Sequence, residues 1–368
     1  MHQEPRPSHL LQPEWVDTIR RHAFAAEEAG MLQPQQLELI YQQQWFKLLA
    51  PKAYGGLEAS LPDQIRLEEA LSWADGSLGW VVTLCAGAGW FGGFINPEAA
   101  CNIYADPKVC LAGSGASTGV AEITPEGYRL SGHWKYASGV RHATHFTANC
   151  LIKQNGESVL DAEGNSLVLS FVIDGKHAQQ VPAWKYIGMM GTGSHAFNLE
   201  DVLAPASRCF KIDHEAPLID TPLYRYPFLQ LAEATLAANL SGMAMHFVDL
   251  CGPIFEQKLK ESRRMTEPHR VILMETLQEV REDLEGIRNQ FYEAVDASWQ
   301  TCLNGNLTPE ALKPVSITSR LLAQISRESV DRLYPFCGLQ AASPDTEINQ
   351  VWRDLHTATQ HSLLTFMD

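Results

Sequence analysis

The chain has 368 residues, of which 45% are hydrophobic and 19% are charged. This composition is typical of a globular protein, and it excludes the disordered, collagen-like and membrane-spanning classes. The formal net charge is -15, from 43 acidic and 28 basic residues, which argues against nucleic acid or an anionic membrane as a partner. The length predicts two or three cooperating domains.

The eight cysteines are scattered along the chain, without a Cys-x-x-Cys pair or a closely spaced histidine. This spacing predicts reduced thiols and no metal site. The first residues lack a basic region followed by an apolar core, so we expect no secretory signal and a cytoplasmic protein. The most apolar run, residues 80–95, is shorter than the about 20 residues that span a bilayer, and it predicts a buried helix.

The order of secondary structure is informative. From Leu10 to residue 105, apolar residues recur at helical spacing. Between residues 107 and 205, short strand-like runs alternate with turns and predict a β domain. After Pro222 the helical pattern returns, with the spacings of four and three that are typical of a bundle helix. We therefore predict a mainly α protein with a central β domain, divided into residues 1–106, 107–215 and 216–368.

Residues 127–139 read GYRLSGHWKYASG. They resemble the segment G-Y-x-L-x-G-x-W-x-F-x-S-G of the acyl-CoA dehydrogenase superfamily, in its branch of reduced-flavin-dependent, two-component monooxygenases. Other stretches resemble the same family in the same order: ADGSLGW at 74–80, AGSGASTG at 112–119, GMMGTGSH at 188–195, and WRD at 352–354 with His361. The resemblance covers nearly the whole chain. It implies an N-terminal helical domain, a small β-barrel-like domain and a C-terminal four-helix bundle.

The resemblance also implies a bound flavin, FAD or FMN. A flavin ring is flat and apolar with a polar edge, so it needs aromatic or backbone surface against its face and hydrogen-bond partners at its edge. Trp134 and Tyr136 are candidates for that surface, although alternating aromatic residues of a strand fit the protein core equally well. Ser138, followed by Gly139, is the candidate hydrogen-bond donor near flavin N5.

Other residues resemble backbone contacts of the family. Ser114 and Gly115 lie in the glycine-rich stretch that runs under the flavin in this family, where glycines permit close approach of a ligand. Family members contribute an arginine and a paired-glycine loop to the flavin of a neighbouring subunit. Arg263 falls near the position of that arginine, and Gly338 matches one of the two glycines. The resemblance therefore implies a homotetramer with shared flavin sites.

Two chemistries remain open within this family. An acyl-CoA dehydrogenase needs a glutamate base aimed at the flavin. Ser343 stands at the usual position of that base, and Glu233 lies near a position that some members use instead. Glu233 is also interpreted as a glutamate of a helix surface or subunit contact.

A reduced-flavin monooxygenase needs a dry pocket, a hydrogen-bonding group near N5, and an acid or base beside the substrate. Ser138 and His361 match the residues that this branch uses for the last two tasks. His361 fits equally well as a histidine packed at a subunit interface. A second histidine of the branch falls near Ala88 and is absent here, and Arg353 and Asp354 are expected to pair with each other or across an interface.

We predict a flavin-dependent oxidoreductase that uses reduced flavin, supplied by a flavin reductase, and O2 to oxygenate a small apolar or aromatic substrate. The alternatives are oxidation of an acyl thioester by FAD with Glu233 as base, and a member of the fold without catalysis. The identity of the substrate and the choice between FAD and FMN stay open.

Overall fold

The computed structural model describes residues 4–261 and 266–365. Helices come first, a sheet follows, and long helices end the chain, which confirms the predicted fold class. The three domain boundaries stay predictions. The N-terminal helices are α1 (Pro13–Arg21), α2 (Ala23–Ala29), α3 (Pro34–Gln42), α4 (Leu61–Ala74), α5 (Gly76–Gly89) and α6 (Pro97–Tyr104).

Helix α5 is the apolar run that the sequence predicts to be buried, and this prediction is confirmed. Asp75 begins the helix, because its side chain accepts a hydrogen bond from the backbone N–H of Leu78 at 2.7 Å. A Cβ atom at Gly79 would lie 2.1 Å from Ser72 Oγ, so only glycine allows α4 and α5 to pack this closely. The tight packing fixes where the side chains of α5 point.

The central sheet contains β1 (Leu111–Thr124), β2 (Gly127–Ala137), β3 (His145–Gln154), β4 (Glu157–Ser158), β5 (Val168–Asp174), β6 (Gln179–Val181), β7 (His195–Ala204) and β8 (Cys209–Phe210). Their order in the sheet is β6-β7-β2-β1-β3-β5-β8, with β4 paired to β3. Strands β1 and β3 run parallel, and β2 is antiparallel to both β1 and β7. Alternation of buried and exposed residues along β2 is the pattern of a sheet with one face on a core.

The C-terminal helices are α7 (Pro222–Arg225), α8 (Phe228–Glu261), α9 (Glu267–Leu303), α10 (Pro309–Cys337) and α11 (Glu347–Ala358). The middle of α8 is buried on all sides, because it packs against α4 as well as against α10 and α11. Among the described helices, none combines the length and the apolar character needed to cross a bilayer.

A buried ion pair joins the N-terminal helices to the bundle. Glu69 of α4 and Arg288 of α9 are 0% and 2% exposed, and two hydrogen bonds of 2.7 Å join their side chains. Tyr292 Oη and Ser241 Oγ donate to the same carboxylate at 2.8 and 2.6 Å. Every oxygen lone pair facing the core thus has a partner, which is the condition under which a buried charge is tolerated.

We expect Arg288→Met to lower the free energy of unfolding by about 3–5 kcal/mol, because the substitution leaves the Glu69 carboxylate buried without its counter-charge. Chemical denaturation followed by circular dichroism measures the loss. The control is Arg129→Met in the exposed pair with Asp201, whose side chains are 46% and 72% exposed. That change should cost less than about 1 kcal/mol. Equal losses of unfolding free energy in the two variants would contradict the role of the Glu69–Arg288 pair as a buried ion pair that stabilises the fold.

Candidate active site

The candidate site lies where α5, the end of β2 and the loop 188–194 meet. Ser138, just after β2, is 5% exposed, and its Oγ accepts a hydrogen bond of 3.1 Å from Trp80 Nε1. Gly139 has φ 75°, and a Cβ atom there would lie 2.6 Å from Cys85 Sγ of α5. The glycine therefore lets the turn after β2 approach α5 closely enough for the Trp80–Ser138 contact.

A chain of buried hydroxyl groups continues from Ser138 into the loop. Ser138 Oγ lies 2.8 Å from Ser194 Oγ, which lies 2.6 Å from Thr192 Oγ1. Thr192 Oγ1 in turn lies 2.6 Å from the carbonyl oxygen of Met189. Ser194 and Thr192 are 4% and 1% exposed. The motif around Ser138 and the motif at 188–195 thus form one hydrogen-bonded unit.

The three hydroxyl groups can donate along this chain in either direction. Donation from Thr192 to Met189 O makes Ser138 donate to Ser194, whereas in the reverse direction Met189 O keeps its hydrogen bond from Thr192 N–H and Ser138 can donate outwards. The role of Ser138 as a donor near flavin N5 therefore stays a prediction. In both directions Trp80 Nε1 donates to Ser138 Oγ.

The motif at 352–354 holds the same loop from the other side. Asp354 of α11 is 3% exposed and its Oδ1 accepts a hydrogen bond from Met189 N–H. Arg353 Nη1 donates to Ile187 O at 2.8 Å and forms an ion pair with Glu27 at 2.7 Å. In the described chain each of these side chains has other partners, and a contact of either across an interface stays a prediction. The two side chains clamp the loop of the β domain.

His361 follows α11 and reaches the same place. Its ring packs edge-on against the Trp80 ring, with centroids 6.0 Å apart. Nδ1 accepts a hydrogen bond of 3.4 Å from Leu363 N–H, so the proton of the neutral imidazole is on Nε2. Burial lowers the pKa of His361 below its usual value, because the charged form loses hydration. The structure thus brings both Ser138 and His361 against the indole of Trp80.

The two predicted aromatic residues have different environments. Trp134 is 0% exposed, stacks on Phe197 with centroids 5.0 Å apart, and donates to Asn149 O. Its position is that of a core residue of the β domain, and this corrects its prediction as flavin-facing surface. Tyr136 is 59% exposed and has φ 64°, a backbone conformation that costs free energy in a residue with a side chain.

Tyr136 belongs to an aromatic cluster with Trp184 and Tyr186. The Tyr136 ring is edge-on to Trp184 at 6.3 Å, and Trp184 lies 4.4 Å from the Tyr186 ring. Trp184 Nε1 donates to Gly188 O at 3.3 Å, at the start of the loop that carries Thr192 and Ser194. The cluster is therefore fixed to the hydroxyl chain. It presents aromatic surface to solvent, which a flat apolar ring can cover.

The predicted backbone contacts lie elsewhere on the chain. Ser114 and Gly115 begin a bulge of β1 that interrupts its pairing with β3, and residues 115–118 are exposed. Gly338 ends α10 with φ 76°, and Leu339 beside it is 90% exposed. The structure does not place Gly338 against Ser138, and Arg263 lies outside the described residues. The flavin contacts of Ser114, Gly115, Gly338 and Arg263 stay predictions.

Glu233, the candidate base of the dehydrogenase alternative, is 0% exposed inside the bundle. Arg320 Nη2 donates to it at 2.8 Å, and Ser316 Oγ donates to its other oxygen. Both partners are on α10, so the carboxylate is committed to joining two helices. Ala88, at the position of the missing histidine, is 6% exposed and packs in the core. Ser343 follows the short turn Leu339–Ala342.

Two cavities among the described residues do not have Ser138 in their lining. One of about 160 Å³ lies behind the clamp and is lined by Arg20, Asp75, His246, Glu347 and Asp354. The other, of about 530 Å³, is an open groove between α9 and α10. The first is smaller than the about 300 Å³ at which ligand pockets begin. Neither cavity is lined by Tyr136 or Ser138, so neither is the candidate flavin surface.

The described residues fit a flavin at that surface. Ser138 Oγ offers a hydrogen-bonding group at the edge, the aromatic cluster offers apolar surface, and Tyr136, with its left-handed backbone, is exposed rather than part of the core. Strain of this kind persists only where the surrounding structure enforces it, and it concentrates at ligand sites. The residues of the predicted site that meet here are Tyr136, Ser138, Gly139 and His361.

Comparisons with known proteins identify the class. Residues 234–366 match the family model described as acyl-CoA dehydrogenase, C-terminal domain. The chain is 25% identical over 321 residues to the indole-3-acetate monooxygenase of Pseudomonas putida, covering 87% of this chain and 80% of the relative. It is 24% identical over 362 residues to the flavin-dependent monooxygenase oxygenase subunit HsaA of Mycobacterium tuberculosis, covering 94% and 88%.

Solved structures agree with these matches. XiaF from Streptomyces sp., in complex with FADH2 and glycerol, superposes with a TM-score of 0.85 at 21% identity, covering 97% of this chain and 92% of XiaF. The chain therefore has the acyl-CoA dehydrogenase-like fold. Within that fold its similarity is to the two-component flavin-dependent monooxygenases, which confirms the resemblance predicted from the motifs.

Sequence reasoning missed three residues of the site. Trp80 and Ser194 were part of the quoted motifs but had no role, and Trp184 was outside them. Trp80 and Ser194 each have a polar group whose partner, Ser138, is 58 and 56 positions away in the chain. A tryptophan or serine in a pattern does not reveal which distant atom it meets. Their presence in motifs shared with the family was the available signal for the first two.

Burial raises the pKa of Asp354 to about 8, and the nearby Asp75 carboxyl adds to the rise. Between about pH 4 and pH 8 the folded state keeps this proton while the unfolded state loses it, so the free energy of unfolding should fall as the pH rises through that window. Asp354→Asn keeps an acceptor for Met189 N–H and cannot ionise. We expect this variant to lose less stability than the wild type between pH 5 and pH 8 in chemical denaturation.

Asp354→Leu is the matched control for the hydrogen bond. It should be less stable than Asp354→Asn by about 1–3 kcal/mol at every pH, because it leaves Met189 N–H buried without an acceptor. If Asp354→Asn and the wild type lost stability in parallel as the pH rose, Asp354 would not be the group that titrates.

Proposed function

We propose that this protein is the oxygenase component of a two-component flavin-dependent monooxygenase. Its reaction inserts one oxygen atom of O2 into a small aromatic or apolar substrate and reduces the other to water. The observation that supports this most strongly is the meeting of the family-like motifs in one place, where Ser138, Trp80, Ser194 and His361 form a single buried unit. The aromatic substrate class is consistent with the name of the P. putida relative.

The cofactor of the proposed reaction is FAD or FMN, taken up in its reduced form from a separate flavin reductase. When bound, the reduced flavin supplies the two electrons that the reaction with O2 consumes. The name of the M. tuberculosis relative, an oxygenase subunit, and the FADH2 in the structure of XiaF support a flavin that arrives already reduced.

The residues of this chain have distinct tasks in that reaction. Ser138 Oγ forms a hydrogen bond with the flavin edge near N5, and Gly139 allows the close approach. Trp80 holds Ser138 through its Nε1 and excludes water from the serine with its ring. His361 carries a proton on Nε2 and presents it to a polar group of the substrate, a role that its low pKa suits because the ring is neutral at pH 7.

The flavin site is proposed to be shared in a homotetramer located in the cytoplasm. Gly338 and the 90% exposed Leu339 end α10 on the surface, where a large apolar side chain is more stable against another subunit than in water. Arg263, which lies outside the described residues, is proposed to reach the neighbour's flavin. Ser114 and Gly115 would lie under the flavin of their own subunit.

The cofactor is tested by anaerobic titration of the purified protein with oxidised and reduced FAD and FMN. Tryptophan fluorescence reports the binding. We expect saturable binding of a reduced flavin. Addition of labelled O2 with a panel of small aromatic compounds, starting with indole-3-acetate, should give a product that carries one labelled oxygen atom. Tight oxidised FAD with dehydrogenation of an acyl thioester would support the dehydrogenase instead, and no flavin binding would indicate a member of the fold without catalysis.

We expect His361→Asn to reduce product formation about 100-fold or more, because it removes the group that moves the proton. Flavin affinity should change little, since the ring contacts Trp80 rather than Ser138. Measurement of both quantities on one preparation separates the role in catalysis from a loss of folding. A parallel loss of flavin binding would show that His361 acts as a packing residue.

Glu233→Gln distinguishes the two chemistries. Its carboxylate joins α8 to α10, so the variant should lose about 1–3 kcal/mol of stability, as expected when a buried charged hydrogen bond is weakened. Monooxygenase product formation by the folded fraction should stay within about twofold of the wild type. Abolition of an acyl-thioester dehydrogenase activity in this variant would favour Glu233 as a catalytic base.

A further inference from the structure

We propose that the cavity of about 160 Å³ behind the clamp is a binding site for a small primary ammonium ion, the charged form of a short alkylamine. The cavity lies where α1, α2, α8 and α11 meet the start of α5, and Ser138 is not in its lining. The inference therefore does not depend on the proposed function. The polar residues of the lining are Arg20, Asp75, His246, Glu347, Gln350 and Asp354.

Two buried carboxyl groups of the lining each have one oxygen without a partner. Asp75 and Asp354 are 6% and 3% exposed. Asp75 Oδ1 accepts from Leu78 N–H at 2.7 Å, and Asp354 Oδ1 accepts from Met189 N–H. Among the described residues, neither Oδ2 atom has a hydrogen-bond donor. A Cβ atom at Gly76 would lie 3.4 Å from Asp354 Cβ, so the start of α5 packs directly against Asp354.

Two neutral side chains of the lining also lack partners. Gln350 is 5% exposed, and its side-chain amide has no hydrogen-bond partner within the described part of the chain. His246 is 3% exposed, and neither ring nitrogen forms a hydrogen bond there, although Nε2 lies 3.1 Å from Glu347 Oε1. Buried polar groups almost always have partners. Several such groups around one cavity therefore indicate that a polar ligand completes their hydrogen bonds.

The charge of the lining favours a cation. Burial raises the pKa of Asp75 to about 6 and that of Asp354 to about 8, whereas the contact with His246 lowers the pKa of Glu347. At pH 7, Asp75 and Glu347 are therefore charged and Asp354 keeps its proton. Burial lowers the pKa of His246, which leaves the ring neutral, and Arg20 supplies one positive charge. The lining thus has a net charge of about -1, which one monovalent cation balances.

The acceptors of the lining match the donors of a primary ammonium group. Arg20 is used elsewhere, because it donates to two backbone carbonyl groups at 3.2 and 3.3 Å and lies 4.4 Å over the Trp73 ring. The acceptors without a donor are Asp75 Oδ2, Asp354 Oδ2 and Gln350 Oε1. A primary ammonium group has three N–H donors, one for each of these oxygens. Asp354 releases its proton to solvent when the cation binds, because the neighbouring positive charge stabilises the carboxylate.

The size of the cavity limits the carbon chain of the ligand. A volume of about 160 Å³ corresponds to about five water molecules at about 30 Å³ each, which suits a short alkylammonium ion such as ethylammonium. Ala23, Phe24 and Val351 supply apolar surface for the alkyl group. The Phe24 side chain is 42% exposed and so lies at the rim, where the face of an aromatic ring attracts a cation.

Thermal unfolding of the purified protein in ethylammonium chloride tests the site. A ligand that binds only the folded state raises the unfolding temperature. We expect a saturable rise with an apparent dissociation constant of about 1 mM, the affinity expected for a ligand with so few atoms. Potassium chloride and tetramethylammonium chloride at the same ionic strength supply the charge without N–H donors. These two salts should give no saturable rise.

Two variants locate the site. Asp354→Asn keeps an acceptor for Met189 N–H but turns an N–H donor towards the ligand, and Gln350→Leu removes the amide. We expect each variant to bind ethylammonium at least about 10-fold more weakly, because one charge-assisted hydrogen bond is lost. The control is Gln324→Leu, an exposed glutamine of α10 that donates to Glu328 Oε1 at 2.8 Å. Its affinity for ethylammonium should equal that of the wild type.

The possible results decide the inference. A saturable effect of ethylammonium that both site variants weaken and the control keeps supports it. The inference is overturned by no saturable effect in the wild type, by an equal effect of potassium, or by unchanged affinity in either site variant. The unfolding temperature without ligand shows whether each variant is folded. If Asp354→Asn does not fold, Gln350→Leu alone decides.

Discussion

The hydrogen bond between Asp354 and Met189 N–H is the contact on which the geometry of the site depends. It fixes a loop of the β domain to the last long helix of the bundle. The loop then fixes Thr192 and Ser194, which fix Ser138, and Trp80 of α5 holds Ser138 from the opposite side. Three parts of the chain are thereby fitted together at one serine. Close approach at Gly188, where a Cβ atom would lie 2.2 Å from Arg353 O, makes the contact possible.

The site is built from neutral groups, whereas the charges of this acidic protein are used elsewhere. Glu69 and Arg288 join α4 to α9, Glu233 and Arg320 join α8 to α10, and both carboxylates are 0% exposed. Hydroxyl and indole groups carry no net charge, so they can orient a ligand by hydrogen bonds without a strong electrostatic field. A fixed charge beside Ser138 would favour one charge state of the flavin whatever the state of N5.

The fold could be predicted from the sequence, since helical and strand periodicities mark α4, β2 and α9 and the motifs occur in the family's order. Part of the site could be predicted as well, because Ser138 and His361 lie in those motifs. The environment of Trp134 could not, since alternation along a strand does not tell a core ring from one that faces a ligand. The donor and acceptor roles also require distances between atoms: the role of Ser138 depends on Met189 O, which only the folded chain brings near.

The Asp354–Met189 contact joins residues 165 positions apart, and this separation has a consequence for biosynthesis. Domains fold in order as the chain emerges, whereas contacts between distant segments form last. The β domain can form its sheet before α11 has been made, but its loop 188–194 then lacks the clamp. A nascent chain therefore contains Ser138 without the arrangement that orients it. If the flavin binds at Ser138 as proposed, competence to bind it would be acquired only when the C-terminal helix docks, which would make this helix a check on the completeness of the chain.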